Sequence, residues 1–308
     1  FFPSFSVGWR VTEEPFMKKI QEKWLTNLKL RYSYGEVGSD KGAPRFNYIQ
    51  LFESGGNVTF GKNQNVTYGP LYTEGKLAYQ NATWETAIKQ NLGIEMTILR
   101  KLKLNLDLFD ERRTGILMER NTVAPWMGTG LPSVNIGETK NHGLELELGW
   151  NDKIGKDFSY FAKFNFATSE NRIVYKDDPN RLDDYLKAAG KPIGYVRKYL
   201  VSGNLSSIDD IFNYTQSGIV NGSQDKLIPG DLAYMDYNGD GVIDAKDTAP
   251  VEHLNYPLTT YGLTLGFTYK GFGVNALFYA ATGVYKEQIG AFLWDFPQGN
   301  IKAQPNTE

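Results

Sequence analysis

The sequence predicts an all-β fold, an antiparallel up-and-down portion of a transmembrane β-barrel with long extracellular loops. Three observations predict it. Apolar residues recur at every second position in segment after segment, short and long connections alternate between those segments, and the charges of each segment lie opposite its leucines. A strand sends successive side chains to opposite faces, so such segments have one apolar and one wet side.

In chain order, residues 5–11 form a first, short strand. In residues 28–34 Leu28, Leu30, Tyr32 and Tyr34 alternate with Lys29, Arg31 and Ser33. Leu92, Ile94, Met96 and Ile98 alternate with Gly93, Glu95 and Thr97, and the connection Leu99-Arg100-Lys101 leads into Leu102, Leu104, Leu106 and Leu108, between which stand Lys103, Asn105 and Asp107. Leu144, Leu146, Leu148 and Trp150 alternate with Glu145, Glu147 and Gly149. Phe158, Tyr160, Ala162, Phe164 and Phe166 follow, with Lys163 and Asn165 on the other face. Last come Tyr261, Leu263, Leu265, Phe267 and Tyr269, then Lys270-Gly271, then Phe272, Val274, Ala276 and Phe278. Counting weaker segments, about ten strands are expected, against about 22 in a large outer-membrane transporter. The chain is therefore expected to be one part of a barrel over 1–308, an internal piece with two raw edges.

A soluble sandwich shows the same alternation, and two features separate the cases. The connections 99–101, 151–156 and 270–271 are short, whereas 35–87, 111–142 and 168–259 are long. Barrels in outer membranes have short turns on one side and long loops on the other. The second feature is charge: Lys29, Arg31, Lys103, Asp107, Glu145, Glu147 and Lys163 are expected to line a wet lumen. Aromatics near strand ends (Tyr32, Tyr34, Phe109, Trp150, Phe158, Tyr269, Phe272) fit interfacial girdles.

Composition agrees. Hydrophobic residues make up 41% and aromatics 14%, with 19 Tyr, too apolar for a disordered chain and rich in the residue that favours half-wet boundaries. The net charge of −2 leaves no basic footprint for nucleic acid. With no cysteine there is no disulfide framework or Cys-based zinc site. No apolar run approaches the roughly 18 residues of a spanning helix, so any membrane crossing is by strands.

One motif carries chemistry. Asp236, Asn238, Asp240, the Val242 carbonyl, Asp244 and Asp247 occupy positions 1, 3, 5, 7, 9 and 12 of a calcium-loop pattern, with Gly241 at the sharp turn. The ligand set implies Ca²⁺ stiffening a loop. An Asx-rich turn that satisfies its own backbone is the alternative. The shorter Asp247 replaces the usual bidentate Glu.

The residues around this loop resemble a known family. Residues 229–247, PGDLAYMDYNGDGVIDAKD, are similar to the signature of SusC/RagA-type, TonB-dependent outer-membrane transporters. FPSFSVGWR at 2–10, LRYSYGEVG at 30–38, Trp84-Glu85 with Asn91-Leu92-Gly93, and NHGLE at 141–145 resemble further family segments, in family order. The resemblance implies a bacterial outer-membrane barrel, plugged by an N-terminal domain, energised by TonB, lidded by a SusD-like surface lipoprotein, and importing oligosaccharides or peptides; against that pattern the plug domain and the closing strands are expected to be absent from 1–308. A passive porin and a soluble, calcium-stabilised β-rich binding module are the rival classes.

The remaining candidates are weaker. Glu145 and Glu147, about 7 Å apart along one face, match a glycosidase carboxylate pair in spacing, but lumen lining explains them as well, and no enzyme activity is expected. Trp126, Tyr48 and Tyr72 are candidate sugar-stacking residues that equally serve loop packing. His142 and His253 form no metal pair, and Gly128-Thr129-Gly130 lacks a dinucleotide fingerprint. Six N-x-S/T sequons (Asn57, Asn65, Asn81, Asn204, Asn213, Asn221) reflect Asn-rich loops. Ile211-Phe212 beside Asp209-Asp210 suits a short capped helix or a partner contact.

Overall fold

The computed structural model describes residues 1–18, 24–60, 66–122, 130–180, 182–214, 216–217, 227–251 and 254–286. Trp126, His253, Gly128, Thr129, Asn65 and Asn221 lie outside them. In chain order the elements are β1 (Ser4–Arg10), β2 (Leu25–Ser39), β3 (Phe52–Phe60), β4 (Val66–Glu74), β5 (Glu85–Ile98), β6 (Leu102–Met118), β7 (Val134–Ile154) and β8 (Phe158–Tyr175). Then follow β9 (Val196–Tyr199), β10 (Val201–Asn204), α1 (Ile208–Asn213), β11 (Gln216–Ser217), β12 (Leu232–Tyr234), β13 (Val242–Ile243), β14 (Thr248–Val251), β15 (Thr259–Tyr269) and β16 (Phe272–Thr282).

Eight strands form one open antiparallel sheet in the order β1-β2-β5-β6-β7-β8-β15-β16, so every neighbour in the sheet is also the next long strand along the chain. That is the up-and-down topology, with eight strands among the described residues. The register aligns the alternation across the whole sheet. Trp9, Leu30, Ile94, Leu106, Leu146, Phe166, Tyr261 and Ala280 are successive partners in one row. On the opposite face Arg10, Lys29, Glu95, Asn105, Glu147, Asn165, Gly262 and Tyr279 form another. A one-residue slip between any two strands would exchange the faces.

Among the described residues no second layer covers the apolar face. Of the described buried hydrophobics, only Leu25 and Ala87 belong to the eight-stranded sheet; the others lie in its connections. Leu92, Leu108, Leu265 and Phe278 are exposed. A bare apolar sheet of this width is incompatible with water, whereas a barrel wall buries that face in hydrocarbon. Phe158 to Phe166 occupies about 27 Å of strand, of the same order as the 25 Å apolar band of such barrels.

The strands run further than their apolar alternation. β2 continues to Ser39, β6 to Met118, and β7 starts at Val134, so the long connections shrink to 40–84, 119–133 and 176–258. The reason is visible on the outer face, where Asp110, Arg112, Glu138 and Lys140 replace the leucines, and Arg112 Nε pairs with Glu138 Oε1 at 2.6 Å. Beyond the apolar rows the ladder persists, but those side chains are no longer apolar. At the other end β7 runs to Ile154, leaving 155–157 rather than 151–156 as the turn, with Gly155 at φ 67°. The connection 11–24 lies at this same end and departs from the short pattern; its buried Val11 and Thr12 pack under β2, where Thr12 Oγ1 accepts from the Leu28 amide. The segment 99–101 takes left-handed φ values at Leu99 (51°) and Arg100 (60°), and 270–271 at Lys270 (47°) and Gly271 (86°), as tight hairpins require.

Two of the long connections carry structure of their own. β3 and β4 form a separate two-stranded hairpin within 40–84. Segment 176–258 holds small paired strands and α1, whose Ser207 and Asp210 make a capping box. Leu205, Leu227 and Ala233 form a small core there, packed by Ile211 and Tyr214. The module is tied to the end of β8: the Ser169 amide donates to the Leu258 carbonyl at 3.0 Å, and Asn171 joins Tyr256 (2.9 Å) to the Ile193 amide (2.6 Å).

Candidate functional site

The polar face of the sheet is where the sequence gathers its chemistry. Rows two residues apart stack Lys29 beside Glu95, and Arg31 beside Gly93 and then Asp107. Lys29 Nζ lies 3.3 Å from Glu95 Oε1, and Arg31 Nη2 lies 2.7 Å from Asp107 Oδ2. Arg31 on β2 thus reaches across β5 to β6. Gly93 makes that possible, because a Cβ there would stand 2.5 Å from Arg31 Nε. Arg31 Nε is 3.0 Å from Glu95 Oε1. Asp107 Oδ1 is buried without a hydrogen-bond partner.

The other expected lumen residues fall on the same face. Glu145 and Glu147 are exposed there, and Asn105 Nδ2 donates to Glu147 Oε2 at 3.4 Å. Lys103 and Lys163 both flank Gly149, and Lys163 Nζ sits 5.7 Å from the Phe161 ring centre. Two hollows mark this face. One of about 440 Å³ is lined by Arg31, Asp107, Glu145, Glu147 and Tyr279. Another of about 630 Å³, nearer the long-loop end, is lined by Ser33, Lys89, Asn91, Phe109, Glu111 and Asn141 among others.

The aromatics divide between faces. Phe5, Tyr32 and Tyr34 cluster on the outer face at one edge of the apolar band, with Phe5 and Tyr34 stacked at 5.6 Å. Phe158, Tyr160, Phe267 and Tyr269 cluster at the other edge. Phe109 was expected in a girdle, but its parity with Asp107 puts it on the polar face, where its ring lies over Gly143 on β7. Position near a strand end suggested the girdle; only the register reveals the face. The sequence signal that could have found it was the odd numbering it shares with Lys103, Asn105 and Asp107.

In the acidic loop each carboxylate is engaged with backbone. Asp236 accepts from the amides of Gly239 (2.7 Å) and Gly241 (2.8 Å), and Asp240 from Val242 (2.9 Å). Asp244 accepts from Lys246 and forms a second capping box with Asp247. Asp247 is fully buried and accepts from Tyr237 (2.8 Å), Asn238 (3.2 Å) and Asp244 (2.7 Å). Among the described residues no three His, Cys, Asp or Glu side chains converge as a metal set. The hydrogen bonds from Asn238 and the Val242 amide hold the Asp240 carboxyl below the usual carboxylate range. Tyr48 and Tyr72 are both exposed, Tyr48 before β3 and edge-on to Phe46, Tyr72 on β4 opposite Ser54.

The β-barrel of TonB dependent receptor-like proteins matches residues 1–295 as a family. The chain belongs to this TonB-dependent receptor β-barrel family. Among its relatives, TonB-dependent receptors P3 and P39 of Formosa agariphila are 25% and 26% identical, across 92% and 90% of this chain. SusC of Bacteroides thetaiotaomicron is 26% identical across 80% of it. The chain spans 28%, 28% and 24% of the lengths of these three receptors. In structure the receptor barrel resembles the RagAB peptide importer, with a TM-score of 0.64 to its open-open state and 0.61 to its closed-closed state. Each match has 17% identity and covers 92% of this chain, and 28% and 29% respectively of those chains, a likeness of fold. Members of this receptor family are transporters and not enzymes.

Proposed function

We propose that this chain is part of the wall of an outer-membrane active importer of oligosaccharides or peptides, energised by TonB and working with a SusD-like surface lipoprotein. The observation that carries the reading is the two-faced sheet: apolar rows uncovered by any second layer on one side, and a charged, hollowed face on the other. The family match and the relationship to SusC support transport, and the likeness of fold to the RagAB peptide importer supports a peptide as one class of cargo. The short turns then face the periplasm and the 176–258 module faces outward.

Deleting the gene for the full-length protein and following uptake of labelled oligosaccharides and peptides tests this. Uptake is expected to vanish on deletion and on collapse of the proton gradient. Uptake that survives a protonophore marks a porin, and a protein recovered without detergent marks a soluble binding module. Co-purification of a surface lipoprotein tests the partner.

The acidic loop is proposed to take Ca²⁺ through Asp236, Asn238, Asp240, the Val242 carbonyl and Asp244, with Asp247 as the clamp that fixes the loop backbone. The oxygen-only donor set suits a hard cation. Calorimetric titration with Ca²⁺ checks it, and no heat at millimolar ion rejects it.

A further inference from the structure

Phe109 holds an aromatic ring in a hollow whose other polar-face side chains are hydroxyls, amides, one ion pair and the aliphatic Val37. Ser33, Asn91, Phe109 and Gly143 stand in one row across β2, β5, β6 and β7, and Asn141 and Glu111 in the next. Lys89 and Glu111 neutralise each other at 3.1 Å. On the outer face, this level lies between the last apolar row (Leu92, Leu108, Leu144) and the first polar one (Gln90, Asp110, His142). The hollow therefore opens at the long-loop rim of the wall, where cargo arrives.

The chemistry discriminates between cargoes. An extended peptide is held chiefly by main-chain pairing to a free strand edge or by charges that capture its ends. Here β2, β5, β6 and β7 are each paired on both sides; β1, whose Ser4 and Ser6 also line the hollow, has a free edge, but three strands away from Phe109, and the local charges are already matched. A sugar ring instead offers an apolar C–H face with a rim of hydroxyls. An aromatic floor beside amide and hydroxyl groups complements that shape. We propose that Phe109, flanked by Asn91 and Asn141, is a stacking subsite for one unit of a neutral oligosaccharide. The proposal rests on the importer reading and narrows its cargo.

The ring also covers Gly143, where an added Cβ would meet its edge, so the test must separate binding from packing. Purified full-length protein in detergent is titrated calorimetrically with maltohexaose, cellohexaose, xylohexaose and mannohexaose, and with a pool of neutral hexapeptides. Phe109→Leu keeps an apolar cover over Gly143 without an aromatic face; Phe109→Tyr restores the face. At least one hexasaccharide is expected to bind, Phe109→Leu to weaken it by about tenfold, and Phe109→Tyr to retain it. Thermal unfolding confirms that both variants are folded, and an unfolded leucine variant is replaced by Phe109→Met. Binding of hexapeptides alone, binding of no hexasaccharide, or equal binding by the folded non-aromatic variant overturns the proposal. Proton-gradient-dependent uptake of peptides in that event leaves the importer reading standing, whereas its absence for every cargo removes both.

Discussion

Individual positions on this wall have opposite tolerances depending on parity alone. Leu104 and Leu146 lie within apolar rows, while Asn105, between Glu95 and Glu147, faces the polar side. Leu104→Arg or Leu146→Arg is expected to cost about 2–4 kcal/mol at mid-bilayer, and Asn105→Arg far less; denaturant titration of the barrel in lipid vesicles measures the difference. Gly93 is a second such position. Gly93→Leu would push Arg31 from its path to Asp107 and deprive Asp107 Oδ2, on a mostly buried carboxylate, of its 2.7 Å partner, an expected loss of roughly 1–3 kcal/mol in the same assay. Asp177 gives a pH signature. Burial alone would raise its pKa, but donors from Thr122 and Asn121 outweigh it and hold the carboxyl below the usual range. A lowered folded pKa means that the tie from 119–133 to the end of β8 is fully present above the ordinary carboxylate range and lost as pH falls through the lowered value. Proteolysis within 119–133 should rise on that acidification, and Asp177→Asn should raise it already at neutral pH.

At the scale of elements, the sequence is most readable where lipid imposes a strict rule. The alternation through Leu102, Leu104, Leu106 and Leu108 marks the strand because hydrocarbon tolerates nothing else there. Past Asp110 the same strand continues for eight residues under no such rule; pairing such as Arg113 with Glu85 at 2.7 Å holds it instead. By pattern alone those extensions therefore read as loop. The β3–β4 hairpin was missed for a related reason: its residues are exposed on both faces, so no period-two pattern is required. The short turns were legible because few residues suit them. Gly271 at φ 86° is one, and Gly271→Ala is expected to cost about 1 kcal/mol by thermal unfolding. In the acidic loop the spacing identified the turn and its Asx chemistry, but not that Asp247 would be turned inward. Its burial goes with the capping box and the amides of Tyr237 and Asn238 that it accepts from, which are contacts rather than pattern.

For the molecule as a whole, the central claim is that one face of the eight-stranded sheet meets hydrocarbon and the other meets water. Family membership, the uncovered leucine rows and the charged hollows all follow from that arrangement. The chain has no cysteine, so single labels introduce no competing thiol from it. The most direct measurement places a spin label in turn at each position from 102 to 108 of the full-length protein in lipid vesicles, and compares collisions with oxygen, which partitions into lipid, and with a water-soluble nickel chelate. Labels at 102, 104, 106 and 108 are predicted to favour oxygen, and those at 103, 105 and 107 the chelate if the lumen is wet or neither if protein fills it. Chelate access at the even positions, or no alternation at all, would contradict the account.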